Sequence, residues 1–280
     1  MSRARTLACG ICGGIFAAAA ILSATPASAA PADGGTGDTG DTVGAYKAAT
    51  DTLPEQRLTA AQKKLLAAKA ADAKGAAAAS AGAYGTKAIK SSGAIQQSQI
   101  NSYYCGPATL VITQSAHDEV GGRSQTSAGN ALNTTTAGTA WYGINADVPN
   151  PTGYPIPDVL NHRLPGAGYA PRALPYTPTA ANKTAFRDAI THNTAGDYAI
   201  AGNAWEVVGG PHLVGHPNRE IFHWVSVDGH SDDGAKTVQY RDPVGGVPTS
   251  VISWAASVPR TATISSDTIT TIMGGRGYVW

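Results

Sequence analysis

Residues 221–242 read IFHWVSVDGHSDDGAKTVQYRD, and this stretch decides how the chain folds. Two strand-like runs, Phe222–Gly229 and Lys236–Asp242, flank Ser231-Asp232-Asp233-Gly234, which carries a hairpin turn signal. A turn centred between Asp232 and Asp233 sets His223 opposite Asp242, Val225 opposite Tyr240 and Val227 opposite Val238. A turn centred one residue later pairs Val225 with Asp242 and leaves His223 one diagonal step away. Strand side chains alternate, so either register puts these six residues on one face. The hairpin therefore predicts an imidazole beside a carboxylate at one end of an otherwise apolar surface. A carboxylate that accepts the imidazole N–H fixes its tautomer and stabilises its protonated form.

Working back along the chain, residues 99–109 read QINSYYCGPAT. Gly106 to about His117 reads as a helix opened by Pro107 and closed before Gly121-Gly122. Cys105 stands immediately before it. The positive end of a helix dipole and the free N–H groups there favour a thiolate, the form a cysteine nucleophile requires. Gln99 lies six residues earlier. Its side-chain amide can swing back beside the Cys105 N–H, offering two donors to a developing oxyanion. Such donors are worth roughly 3–4 kcal/mol each. Gln96 and Gln97 are local competitors for that role, and a solvated loop position is the plain alternative for all three.

The cysteine inventory sharpens this reading. Of three Cys, Cys9 and Cys12 lie in an N-terminal stretch that reads as an export signal. Arg3 and Arg5 open it, an apolar run follows from Leu7 to Leu22, and Ala27-Ser28-Ala29 supplies an A-x-A-like cleavage site. The mature chain is then expected outside the cell, secreted or associated with the cell wall, with Cys105 as its single thiol. One Cys cannot form an internal disulfide, which leaves an inert buried thiol, an intermolecular bridge or a reactive nucleophile. Removing residues 1–29 takes away two Arg and no acid, moving the formal charge from +1 to −1. A near-neutral chain carries no electrostatic footprint for nucleic acid or an anionic membrane. A monomer is expected.

Texture divides the rest. Residues 30–45 are Gly, Asp and Thr with little to bury, a flexible tether. Residues 52–72 read as a helix, with Pro54 near its first turn and Leu58, Leu65 and Leu66 near one face. Residues 74–93 are Ala/Gly/Ser-rich. The stretch 30–93 is thus expected to be a flexible linker or propeptide with one helix, and the compact domain to span 94–280. Within it, 155–163 and 179–192 suggest helices. Asp197–Gly202 looks like a strand, with weaker strands at 249–254 and 268–280. Helices come first and strands later, which predicts an α+β fold.

The remaining histidines carry less. His212 and His216 have i, i+4 spacing, but Gly215 and Pro217 argue against a helix and hence against a metal pair. Asp228 to Gly234 faintly echoes a calcium loop, without its terminal acid or sixth-place Gly, so a turn is expected. His117, His162 and His192 sit at or near helix ends, where a cation is useful without chemistry.

Gln99, Cys105-Gly106-Pro107-Ala108, His223 and Asp242-Pro243 together resemble the C39-like branch of the papain-like cysteine peptidases. The order Gln, Cys, His, Asp and the six-residue Gln-to-Cys gap are similar to that family's, as is the segment Thr139 to Leu160. The resemblance covers roughly residues 94–250. It implies a papain-like fold in which a Cys-bearing helix packs on an antiparallel sheet carrying the His and Asp. It implies a peptide or protein substrate, and chemistry without metal or organic cofactor. A leader-peptide substrate does not carry over, because family members fused to membrane exporters differ from a chain that is itself exported. A peptidoglycan amidase or other acyl transferase could use the same residues, and a silent peptide-binding module could keep the same fold.

Overall fold

The structure, a computed structural model, describes residues 58–80 and 88–280 other than 144, 146, 147 and 150. The expected export signal at 1–29 and the tether at 30–45 lie outside the described residues, as does Pro54.

An α+β architecture is built on one seven-stranded antiparallel sheet. Its strands are β1 (Ile89–Ser91), β2 (Pro171–Ala173), β3 (Ile200–Glu206), β4 (Ile221–Ser231), β5 (Thr237–Arg241), β6 (Thr261–Ser265) and β7 (Gly277–Val279). They lie in the order β2-β7-β3-β4-β5-β6. β1 pairs with the last residues of β4, on the edge that β3 leaves free beyond Val227. The helices are α1 (Ala60–Ser80), α2 (Cys105–Asp118), α3 (Gln125–Ala131), α4 (Pro155–Arg163), α5 (Ala180–Ala195) and α6 (Ser266–Ile272).

α2 is buried from Gly106 through Ala116, so it is a core helix and not an amphipathic surface one. It packs on β4 and β3, and Thr113 Oγ1 donates to Ser226 Oγ of β4 at 3.0 Å. α5 opens with a capping box: Thr179 accepts from the Asn182 N–H while Asn182 reaches back to the Thr179 N–H. Phe186, Ala189 and Ile190 of α5 join Val225, Val227, Val238, Tyr240 and Tyr278 of the sheet in one core. Val244, Val247, Ile252, Ala255 and Val258 form a smaller cluster of their own.

Several elements differ from the sequence reading. α1 begins at Ala60 and continues to Ser80 through residues expected to be linker. Leu58, Leu66 and Ala73, spaced near whole turns, are buried, and α1 packs on α5. β1 also falls within the stretch expected to be linker or propeptide. Its three residues are too few for a periodic signal, and only pairing with β4 reveals it. Residues 249–254 form no strand. Their amides close locally, with Val251 and Ile252 N–H both donating to Pro248 O. The run 268–280 is not one strand. Ser265 caps α6 by accepting from the Asp267 N–H, and β7 follows only at Gly277. β2, β6 and α3 are short elements without a clear pattern of their own.

Replacing Leu66 with Ala should test whether α1 belongs to the folded unit. A loss of about 2–4 kcal/mol in denaturant unfolding is expected, because the cavity has α5 on one side. A change near zero would show that α1 does not contribute to the cooperative fold.

Candidate active site

Cys105 is the first residue of α2, half-buried and not in a disulfide. Tyr104 is the N-cap and makes no side-chain cap bond, so no capping group takes up the amides of the first turn. Gly106 is required here by close approach. A Cβ at this position would lie 2.1 Å from Thr139 Oγ1, so the absent side chain lets residues 137–142 close against the start of the helix. Thr139 is held in turn by Thr134, hydroxyl to hydroxyl at 2.8 Å.

His223 lies on β4 and is buried at 4% exposure. The hairpin register is Ser226 opposite Arg241 and Val227 opposite Tyr240. Continued outward, it sets Asp242 against Val225, the second of the two anticipated registers. A bulge between Val227 and Gly229 shifts the pairing near the turn by one residue, so Val238 meets His230 and not Gly229. Asp242 follows β5 directly and is fully buried. His223 Nε2 reaches Asp242 Oδ1 at 2.9 Å along the diagonal. Cys105 lines the same cleft and stands near enough for its side chain to act on the ring electrostatically.

The electrostatics follow from this geometry. Burial alone would lower the His223 pKa. The charge and hydrogen bond of Asp242, then the hydrogen bond and charge of Cys105, outweigh burial and raise it to about 10. Burial would raise the Asp242 carboxyl, but the charges and hydrogen bonds of His223 and His216 hold it well below the usual carboxylate range. The third hydrogen bond to this carboxylate comes from the Val244 N–H at 2.9 Å.

Gln99 is buried and lines the same cleft as Cys105 and His223. Its Nε2 donates to Asn101 O at 2.6 Å, and its Oε1 has no hydrogen-bond partner. An amide nitrogen carries two hydrogens, so one remains beyond that bond. The competing glutamines have other tasks. Gln96 donates to the Asp242 carbonyl and Gln97 to the Arg123 carbonyl. Gln99 N–H donates to Pro243 O and Ser98 Oγ to Gly245 O, so the segment before Cys105 is laced to the segment after Asp242.

Two residues escaped the sequence reading. His216 and Glu206 have fully buried side chains. His216 Nε2 stands 3.0 Å from Asp242 Oδ2, and its Nδ1 stands 2.8 Å from Glu206 Oε2. The sequence offered only the i, i+4 spacing with His212, which Gly215 and Pro217 argued against as a metal pair, and nothing in it pointed to Asp242. The His212 ring bridges the Gly210 and Arg219 carbonyls, while His216 turns toward Asp242. Donor atoms of His216, His223 and Asp242 lie within 4.8 Å of one another, near enough to converge on a metal ion. Each imidazole contact to Asp242 nevertheless has the length of a single N–H···O hydrogen bond, so the set is arranged as a donor–acceptor chain. Asp228 is no calcium ligand in waiting. Arg241, Gln239 and Ser91 all donate to its carboxylate. His117, at the end of α2, stacks on Tyr198.

Cys105 and His223 open onto a cleft of about 540 Å³. One wall is residues 137–142 and the other 249–254, the run that failed to form a strand. Phe222, Trp224 and Trp254 contribute aromatic surface to a lining that is otherwise mixed polar and apolar. Among the described residues, none before Gln99 lines it, so the described part of α1 stands apart from the cleft.

No family model, no curated protein and no solved structure matches this chain. No described helix is long and apolar enough to cross a membrane.

The pKa directions predict how stability depends on pH. His223 is raised on folding, so its contribution is complete below about pH 6.5 and lost as pH rises through about 10. Asp242 is depressed, so its contribution is present above about pH 4 and lost as pH falls. The melting-temperature difference between wild type and Asp242→Asn should therefore peak between about pH 4 and 6.5 and shrink on both sides. A difference that stays flat from acid to alkaline pH would mean the pair does not titrate as described.

Proposed function

We propose that this chain is a secreted thiol peptidase of the C39-like, papain-like kind. The observation that carries the reading is the pair His223–Asp242, hydrogen-bonded at 2.9 Å, with Cys105 at a helix start beside His223 in the wall of one open cleft. Three residues far apart in sequence meet in the order that nucleophile, base and orienting carboxylate require.

In this reading the Cys105 sulfur attacks the carbonyl carbon of a peptide bond while His223 holds the thiol proton. The Cys105 N–H at the helix start and the free hydrogen of the Gln99 amide stabilise the oxyanion. His223 then gives its proton to the leaving amine, which departs and leaves a thioester on Cys105. Water enters, His223 removes its proton, and the acyl group leaves as a carboxylic acid. Asp242 keeps the imidazole in the required tautomer throughout. The aromatic surface contributed by Phe222, Trp224 and Trp254 suits apolar side chains of an extended peptide. The A-x-A-like site after the basic, apolar N-terminus supports export.

Cys105→Ala is expected to bring peptide hydrolysis to background while the protein still folds cooperatively. Asp242→Asn should lower kcat/KM by about 10²–10⁴. An assay comparing casein-like peptides with cell-wall fragments separates peptidase from amidase, and hydrolysis of peptides is the expected result. Turnover that survives Cys105→Ala would end the proposal.

A further inference from the structure

Behind Asp242 lies a second buried imidazole–carboxylate pair that the chemistry above leaves unused. Glu206 is the last residue of β3. His216 sits on the loop between β3 and β4. That loop is pinned at Gly215, whose φ is +84° and where a Cβ would meet Ser257 O at 2.0 Å. The Val214 N–H donates to the Tyr240 hydroxyl at 2.9 Å, and the Leu213 N–H donates to Glu206 Oε1. The polar chain therefore continues from Cys105, His223 and Asp242 to His216 and Glu206.

With both carboxylates ionised, the hydrogen-bond inventory gives the charge of the added histidine. A neutral imidazole has one N–H and one lone pair. Both ring nitrogens of His216 face carboxylate oxygens, and an ionised carboxylate only accepts. The two contacts are satisfied together by an imidazolium. A buried cation thus sits 3.0 Å from the Asp242 oxygen that His223 does not use, and Glu206 supplies the balancing negative charge. The groups facing His216 are Glu206 from β3, His223 from β4, Asp242 after β5, and the Trp254 ring at 4.7 Å. Arg219 of the same loop lies over that Trp254 ring. Tyr240 of β5 holds the loop through Val214.

We propose that His216 and Glu206 are positioning residues for the triad: His216 holds the Asp242 carboxylate ionised and turned toward His223, and Glu206 orients the His216 ring and balances its charge. The inference rests on the thiol-peptidase reading of Cys105, His223 and Asp242. Its physical basis is rotational. A carboxylate held by one imidazole can turn about its Cβ–Cγ bond, whereas one clamped through both oxygens cannot turn without breaking a buried charged hydrogen bond.

Two variants of the full chain test it. In Glu206→Gln the amide oxygen can accept from Leu213 while the amide nitrogen donates to His216 Nδ1. The ring then becomes the neutral tautomer that still donates to Asp242, so the geometry stays and the cation goes. Glu206→Gln with His216→Gln removes both charges. The measurements are melting temperature, kcat and KM on a peptide substrate, and the pH profile of Cys105 alkylation by iodoacetamide. Glu206→Gln is expected to fold, to lose about tenfold in kcat with KM nearly constant, and to show the acid limb of both profiles displaced upward. The double variant should lose about a hundredfold, the scale that outer-shell partners carry. A folded Glu206→Gln with wild-type kcat and unshifted limbs overturns the positioning role. Collapse of the fold in both variants overturns it too, in favour of a purely structural pair. Wild-type alkylation that follows an ordinary thiol near pH ~8.5, without turnover, removes the triad itself and this inference with it.

Discussion

The Asp242 carboxylate is fully buried and ionised, and so much of the molecule is arranged around it because an uncompensated charge in that position would be intolerable. Three donors converge on its two oxygens: His223 from β4, His216 from the β3–β4 loop, and the Val244 N–H just downstream. Its own N–H donates to Arg260 O, and its carbonyl accepts from Gln96. One residue therefore ties the central hairpin, the loop above it, the segment leading to β6 and the segment leading into α2. Breaking one partner of a buried charged pair typically costs about 3–5 kcal/mol. The same contacts that stabilise the fold thus align the candidate catalytic groups.

The cleft is shaped by parts of the chain that lack regular structure. Residues 137–142 reach the start of α2 only because Gly106 has no side chain. Residues 249–254 fold back on themselves over a small apolar cluster and present Trp254 both to the cleft and to His216. Loops held by a rigid sheet and a buried helix are a common way to combine a precise polar centre with an adaptable substrate surface.

α1 supplies a different lesson about burial. Its sequence is mostly Ala and Lys, and from composition it could float free. Leu66 and Ala73 of the helix, with Leu58 just before it, are buried, and Lys69 lies over the Trp280 ring at 4.8 Å. Burial lowers the Lys69 pKa to about 8. The helix is thus joined to the domain through α5, away from the described lining of the cleft.

The amino-acid sequence by itself determined the local pieces with strong patterns. These include the helix from about Gly106 to His117, which in the structure takes in Cys105 as its first residue, the α5 helix, and a β4–β5 hairpin that puts His223 and Asp242 on one face. Period-two alternation and a Ser-Asp-Asp-Gly turn are enough for that, since both act over a few residues. It left two registers open, and the bulge after Val227 is what reconciles the turn with the pairing beside the site. Only the tertiary structure decided the rest. Which glutamine faces the cleft depends on how residues 96–99 are laced to residues 242–245. The three-residue strands exist because a neighbour completes their hydrogen bonds. His216 and Glu206 became visible only when a loop of no regular pattern folded over the end of β3. Contacts between residues distant in the chain leave no periodic trace in it.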